Sequence, residues 1–255
     1  MRTIFQRTMG AGVALVLSAS IAQAAEVKVL IAGALQNAIR PLAADFEKQT
    51  GNKVTLMASN PALIPKELAD HPYDVVASAL STMGEFSEGG KLQAGTDIPL
   101  ARTGIGIAIK EGARKPDLST IESFKKAVMG AKNIIYTDPL APNASGGNTQ
   151  HILANAGLLD EVKKKGLQEG LAPGRERIAK GEYEMGFFNV SEAVAPGVVL
   201  AGPVPAPLQM YLNYDIAVTR NATARNEAAA FVKFVTAKAA AERWKAAGLE
   251  QVAPH

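Results

Sequence analysis

The sequence predicts an α/β protein of two lobes around a ligand cleft. Three observations predict it. Short, almost continuously apolar runs alternate with helical ones from residue 27 onward, the pattern expected where helices cover both faces of a sheet. The length beyond a leader-like start suits two α/β cores of ordinary size. A Pro-rich segment, "AGPVPAPLQMY" (201–211), lies where a chain that had crossed to a second lobe would return.

Taken in order, residues 1–24 read as a secretory signal. Arg2 and Arg7 precede the apolar run "AGVALVLSASI", and "AQA" (22–24) is a small-x-small cleavage site. The apolar run is shorter than a bilayer span requires. The mature protein is therefore expected to be periplasmic, without membrane insertion. Strands are expected at 27–32, 53–59, 73–79, 104–110, 133–138, 185–190, 197–202 and 213–218. "QNAIRPLAADFEKQTG" (36–51) reads as a helix with Ile39, Leu42 and Phe46 on one face, Pro41 near its start and Gly51 at its end. Residues 148–166 read as a helix or a helix pair broken near Gly157, with "EVKKKG" (161–166) as a solvated helix end. Residues 225–248 read as a helix with Phe231, Phe234 and Val235 inward. The alternation favours mostly parallel sheets. Lobe I is assigned to 25–103 plus 208–255 and lobe II to 104–207, with crossings near 101–109 and 202–212.

Composition narrows the function. The chain has no Cys, so no disulfide or lipid-anchor cysteine is available and the core must suffice. Removing Arg2 and Arg7 leaves 25 basic and 24 acidic residues, which gives no electrostatic case for nucleic acid. Metal binding lacks HExxH, Cys and an aspartate-rich loop; nucleotide binding lacks its Gly-rich fingerprints; hydrolysis lacks G-x-S-x-G. No metal and no cofactor is expected.

Four stretches resemble the molybdate-binding proteins of ABC transporters. These are "VLIAGALQNAIRPLAADFEKQTGNKV", "YDVVASA", "YTDPLAPNASGGNTQHIL" and "MGFFNVSEA". The third corresponds to that family's "DP…P-A-G" loop, and the fourth to its "G-hydrophobic-hydrophobic-Y-x-S-D-A". Their shared order and spacing run through essentially the whole mature chain. The resemblance implies a periplasmic binding protein of type II, two lobes joined by two hinge crossings, closing on a small anion and working as a monomer with an ABC transporter permease. The ligand signature departs from the family. Its first-loop serine pair becomes Gly33-Ala34, its tyrosine becomes Asn189, and its second-loop serine is kept as Ser59, beside Asn60. A dehydrated oxyanion needs convergent neutral donors, so this loss argues against molybdate.

A wider cavity at Gly33-Ala34 suits a larger anion. Arg102, in "LARTGIG", and Arg175, in "APGRERIAKGE", are candidates to grip carboxylates bidentately. Arg102 equally suits a surface position at the join, and Arg175 a solvent pair with Glu176 or Glu182. Gly146 and Gly147 suit close backbone approach in a donor nest at the start of a helix, with Asn148 or Thr149 as its cap. Ser78, Ser81 and Thr82, at the end of the third strand, are further candidate donors. Asn60 also suits capping the turn before Pro61. Together the candidates point to a di- or tricarboxylate. The leading reading is a receptor that closes on such an anion; the alternative is aconitate isomerase, an exported enzyme of the same family that interconverts trans- and cis-aconitate by allylic proton transfer. His151, Tyr136 and Tyr214 are its candidate bases. His71 and His255 lie in a loop and at the terminus.

Overall fold

A computed structural model describes residues 24–138, 140 and 145–252. The proposed signal, apart from Ala24, lies outside the described residues, as does His255. The chain opens with β1 (Glu26–Ala32), α1 (Gln36–Thr50), β2 (Lys53–Ser59), α2 (Ile64–Asp70), β3 (Val75–Ala79) and α3 (Leu80–Glu88). β1 pairs in parallel with β2 on one side and β3 on the other. α1 buries Ile39, Leu42 and Phe46, and the Phe46 ring meets Phe231 and Phe234 edge-on at 5.3 and 5.5 Å. Gly51 ends α1 in the left-handed region at φ 75°, where only glycine is free of steric cost. Pro41 stands sixth in α1, deeper than the sequence suggests, and removes the N–H that would bond the Asn37 carbonyl.

β4 (Ile98–Lys110) is nearly twice as long as expected. It leads to α4 (Ile121–Gly130), β5 (Ile134–Tyr136), α5 (Ser145–Asn155), α6 (Leu159–Lys165), β6 (Gly166–Gln168), α7 (Leu171–Lys180), β7 (Met185–Asn189) and β8 (Val198–Pro203). β9 (Tyr211–Val218) then returns between β3 and β4, followed by α8 (Arg225–Thr236), α9 (Ala241–Ala246) and β10 (Glu250–Gln251). Strand order is β2-β1-β3-β9-β4-β7-β5-β6, with β8 and β10 also on β4. The sheet is mixed rather than mostly parallel, because β4 and β9 carry the chain between the two halves and every pairing they make is antiparallel. The first stretch of β4 pairs with β9 and its second with β7 and β8. The hydrogen-bonded path is thus continuous through β4, while the buried apolar residues divide. One cluster gathers around Phe46, Phe231 and Trp244, and two others around Phe124–Phe187 and Phe188.

Gln209 knits the two connections together. Its Oε1 accepts from the Ile105 N–H at 2.7 Å, and its Nε2 donates to the Ile105 carbonyl at 2.9 Å and that of Val204 at 3.2 Å. Gly104 lacks a Cβ where one would come within 2.7 Å of the Gln209 side chain.

Three local details refine the sequence reading. Gly157, at φ 69°, separates α5 from α6. Lys163 and Lys164 are exposed, but Lys165 Nζ caps the end of α4 through the carbonyls of Val128, Met129 and Ala131 at 2.8–2.9 Å. The expected 225–248 helix breaks at Ala237, whose ψ of 147° is extended. α9 then folds back, and the Trp244 indole N–H donates to the Val235 carbonyl at 2.9 Å.

The motif "YDVVASA" has a structural task. Asp74, 2% exposed, accepts from the backbone N–H groups of Lys28, Thr223 and Ala224 at 2.7–3.1 Å, and from the Thr223 hydroxyl. It ties β1 to the chain entering α8. Burial pushes its carboxyl up, and these four bonds outweigh burial and hold it below the ordinary carboxylate range.

Candidate functional site

A cleft of about 740 Å³ opens beyond the carboxyl ends of β1, β2, β5 and β7, where open α/β sheets bind ligands. Its size is that of a site for an organic molecule. Chain starts of helical segments converge there: Gly33 and Ala34 at the turn before α1, Asn60 at the turn before α2, Ser145 at α5, and Gly170 and Leu171 at α7. Such ends carry free N–H groups and positive potential. Asn60 both lines the cleft and caps its turn, Oδ1 accepting from Ala62 N at 3.0 Å. Ser59 lines the cleft at the end of β2. A Cβ added at Gly33 would meet nothing nearer than the Ser59 carbonyl at 3.6 Å.

Arg175 reaches the cleft from the fifth position of α7, not from its first turn. Its Nη1 donates to the Glu192 carbonyl at 2.8 Å. Glu176 pairs with Lys180, and Glu182 with Arg177, so neither takes Arg175. Four buried side-chain N or O atoms have no hydrogen-bond partner among the described residues. Three of them belong to cleft residues: Arg175 Nε, Asn189 Oδ1 and Ser191 Oγ. An unpaired buried polar group is costly, and three in one cleft mark where a ligand's polar atoms or ordered water belong.

Asn189, 2% exposed at the end of β7, donates its Nδ2 to Glu192 Oε2 at 2.8 Å. Burial pushes the Glu192 carboxyl up, against the smaller opposing effects of the Asn189 bond and the Arg175 charge. Tyr214 lines the cleft from β9. Burial first, and the Glu192 charge second, raise its hydroxyl far above the ordinary phenol range, so it stays protonated. Asn37, on α1, donates to the Ser191 carbonyl at 3.3 Å, joining α1 to the turn after β7.

Several candidates from the sequence lie elsewhere. Arg102 faces Glu250 across the β4–β10 pairing, bonds its carboxylate at 2.6–2.8 Å and stacks 4.1 Å over the Tyr211 ring, beside a separate small cavity. Ser78 is buried within β3 and does not line the cleft; nor do Ser81 and Thr82 in α3. Gly146 has a packing role of its own: a Cβ there would sit 2.3–2.4 Å from the carbonyls of Asp138 and Thr137. Gly147 and Asn148 fall inside the first turn of α5, away from the cleft lining, because the helix begins at Ser145. His151 is exposed on α5 and outside the cleft. Tyr136 is packed in the core, its hydroxyl 3.5 Å from Gln168 Nε2, and it too is absent from the lining. Of the three candidate bases only Tyr214 reaches the cleft.

Sequence reasoning missed Glu192 and Ser191. Both stood in "MGFFNVSEA", at the "S-D" of the quoted family pattern, but the stretch served there only as a marker of resemblance. Among the described residues no group of three or more His, Cys, Asp or Glu is placed to hold a metal ion, and no helix is long and apolar enough to cross a membrane.

Residues 27–250 match the family model of bacterial extracellular solute-binding proteins. An aconitate isomerase from a Pseudomonas species is 30% identical over 232 residues, covering 88% of this chain and 87% of that protein. The molybdate-binding protein ModA of Azotobacter vinelandii is 29% identical over 249 residues, covering 94% of each. Among solved structures, the substrate-binding domain assigned to a molybdenum ABC transporter of Clostridium difficile superposes with a TM-score of 0.76 at 17% identity, over 90% of this chain and all of that one. The chain belongs to the bacterial extracellular solute-binding proteins, is ModA-like among them, and has the type II periplasmic-binding-protein fold.

Proposed function

We propose that this extracellular solute-binding protein closes its cleft on a small polycarboxylate and interconverts trans- and cis-aconitate. The observation that carries the reading is the Arg175 guanidinium. Nη1 is spent on the Glu192 carbonyl, while the buried Nε has no partner and lines an organic-sized cleft. A planar guanidinium edge held this way matches a planar carboxylate. The Ser191 hydroxyl and the four helix starts supply further neutral donors for a second and third carboxylate. The aconitate isomerase relative supports the choice of substrate. Molybdate is disfavoured, because Gly33, Ala34 and Asn189 replace three of the hydroxyl donors that the resemblance leads one to expect.

The reaction needs no redox partner and no water: a proton leaves one carbon and returns to another, as a closed cleft allows. In this reading the lobes are 25–103 plus 208–255 and 104–207, they hinge on β4 and the 202–212 return, and the protein works in the periplasm after its leader is removed. Purified protein incubated with trans-aconitate and followed by chromatography tests it, with thermal shifts for both aconitates, citrate, molybdate and sulfate beside it. Turnover to the cis isomer is expected, and stabilisation of about 2.7 kcal/mol at a hundred times Kd by aconitate alone among these. Stabilisation without turnover leaves a receptor, which an ABC transporter permease would serve.

A further inference from the structure

We infer that Glu192 is the base that carries the proton between the two carbons of the substrate, with Asn189 as its positioning residue; this rests on the isomerase reading above. The argument starts from an oddity. The cleft gathers donors, namely four helix starts, the Arg175 guanidinium and the Ser191 hydroxyl, yet three carboxylates, Asp138, Glu169 and Glu192, also line it. A carboxylate inside such a site repels a polyanion and weakens its binding. No Lys or Arg among the described residues forms an ion pair with the Glu192 side chain. Arg175 bonds its backbone carbonyl rather than its carboxylate, which fixes the residue while the guanidinium charge acts on the carboxylate without a direct bond. The one hydrogen bond to it among the described residues, from Asn189 Nδ2 to Oε2, aims it while leaving Oε1 for another partner.

The other acids and bases at the cleft do not fit the task. Glu169 is paired with Arg177 at 3.2 Å, and Asp138 is exposed and accepts from the Leu140 N–H at 2.9 Å. Tyr214 is held as a phenol. His151 is outside. Burial makes the Glu192 carboxylate more basic than an exposed one, in the direction a carbon acid demands.

The step balances without a co-reactant. Glu192 takes a proton from the methylene carbon, breaking C–H and forming O–H. That C–H pair forms the new C=C, and the old C=C pair moves onto the former vinylic carbon and its carboxylate, near Arg175. The same proton then bonds to that carbon, and the glutamate is a carboxylate again. Rotation about the central bond at the delocalised stage, or a choice of methylene conformer, sets cis against trans.

The test compares wild type, Glu192→Gln and Glu192→Asp by turnover, by calorimetric affinity for trans-aconitate and by pH profile. The groups that act on Glu192 or feel its charge are Asn189, Arg175 from α7 and Tyr214 from β9, and the other carboxylates lining the cleft are Glu169 and Asp138. Glu192→Gln is expected to lose about 10²–10⁴-fold in kcat, with Kd unchanged or tighter. Glu192→Asp should keep part of the rate and the acidic limb of the profile, which guards against a variant that merely misfolds. If wild type is inert, the isomerase reading itself fails. If wild type turns over and Glu192→Gln keeps more than a tenth of kcat, the reading stands and Glu192 is overturned as the base.

Discussion

Asn189 and Glu192, three residues apart in the turn leaving β7, are joined by a 2.8 Å bond from amide nitrogen to carboxylate. The pair sets a half-buried carboxylate in the cleft, beside the guanidinium of Arg175, whose Nε has no partner among the described residues.

That arrangement has a stability signature. The folded state holds the Glu192 proton more tightly than the unfolded chain, because burial raises its carboxyl. The ionised form therefore costs stability above the folded pKa, and the cost vanishes below the ordinary range of about 4, where both states are protonated. Glu192→Gln should melt above wild type near neutral pH, with the gap narrowing as pH falls. Melting curves across pH check this; a gap independent of pH contradicts it.

Asp74 should behave in the opposite sense. Its carboxyl is held low, so its contribution is full above the ordinary carboxylate range and is lost as pH falls through the folded pKa. Asp74→Ala leaves the Lys28, Thr223 and Ala224 donors bare and should cost about 3 kcal/mol near neutral pH, less in acid. Denaturant unfolding at two pH values measures it, and an equal cost at both rejects the assignment.

The two arginines should separate. Arg175→Ala should weaken trans-aconitate by about 1.5–3 kcal/mol, the scale of a lost charge-assisted bond. Arg102→Ala should leave affinity unchanged and cost at most about 1 kcal/mol of stability, since its partner Glu250 is exposed. Calorimetry on both variants decides, and a ligand defect in Arg102→Ala would return that residue to the site.

The glycines should separate as well. Gly33→Ser has room, with its nearest neighbour at 3.6 Å, and should fold with near wild-type stability. Gly146→Ala drives a methyl into two backbone carbonyls and should destabilise by roughly 1–3 kcal/mol or more. Thermal melts read both; a tolerant Gly146→Ala would mean that the contact with Asp138 relaxes.

Much of the fold was legible in the sequence because its signals are local. The residues of β2, the inward face of α1 and the break at Gly157 follow from periodicity and a glycine. The first stretch of β4 was not, because Pro99 and Arg102 interrupt its apolar run, and its strand state comes from pairing with β9 more than a hundred residues away. The same distance hid the site. Arg102 looked free because Glu250 is absent from its neighbourhood in sequence. Glu192 looked ordinary because its burial, Arg175 and Tyr214 come from separate segments.

Proton NMR of trans-aconitate with the wild-type protein in deuterated buffer tests the central claim most directly, since it sees both the product and the mobile hydrogen. The account predicts the resonances of cis-aconitate growing in without added cofactor, with Glu192→Gln silent at equal occupancy. A saturated protein that over hours neither forms the cis isomer nor exchanges the methylene hydrogens would contradict it.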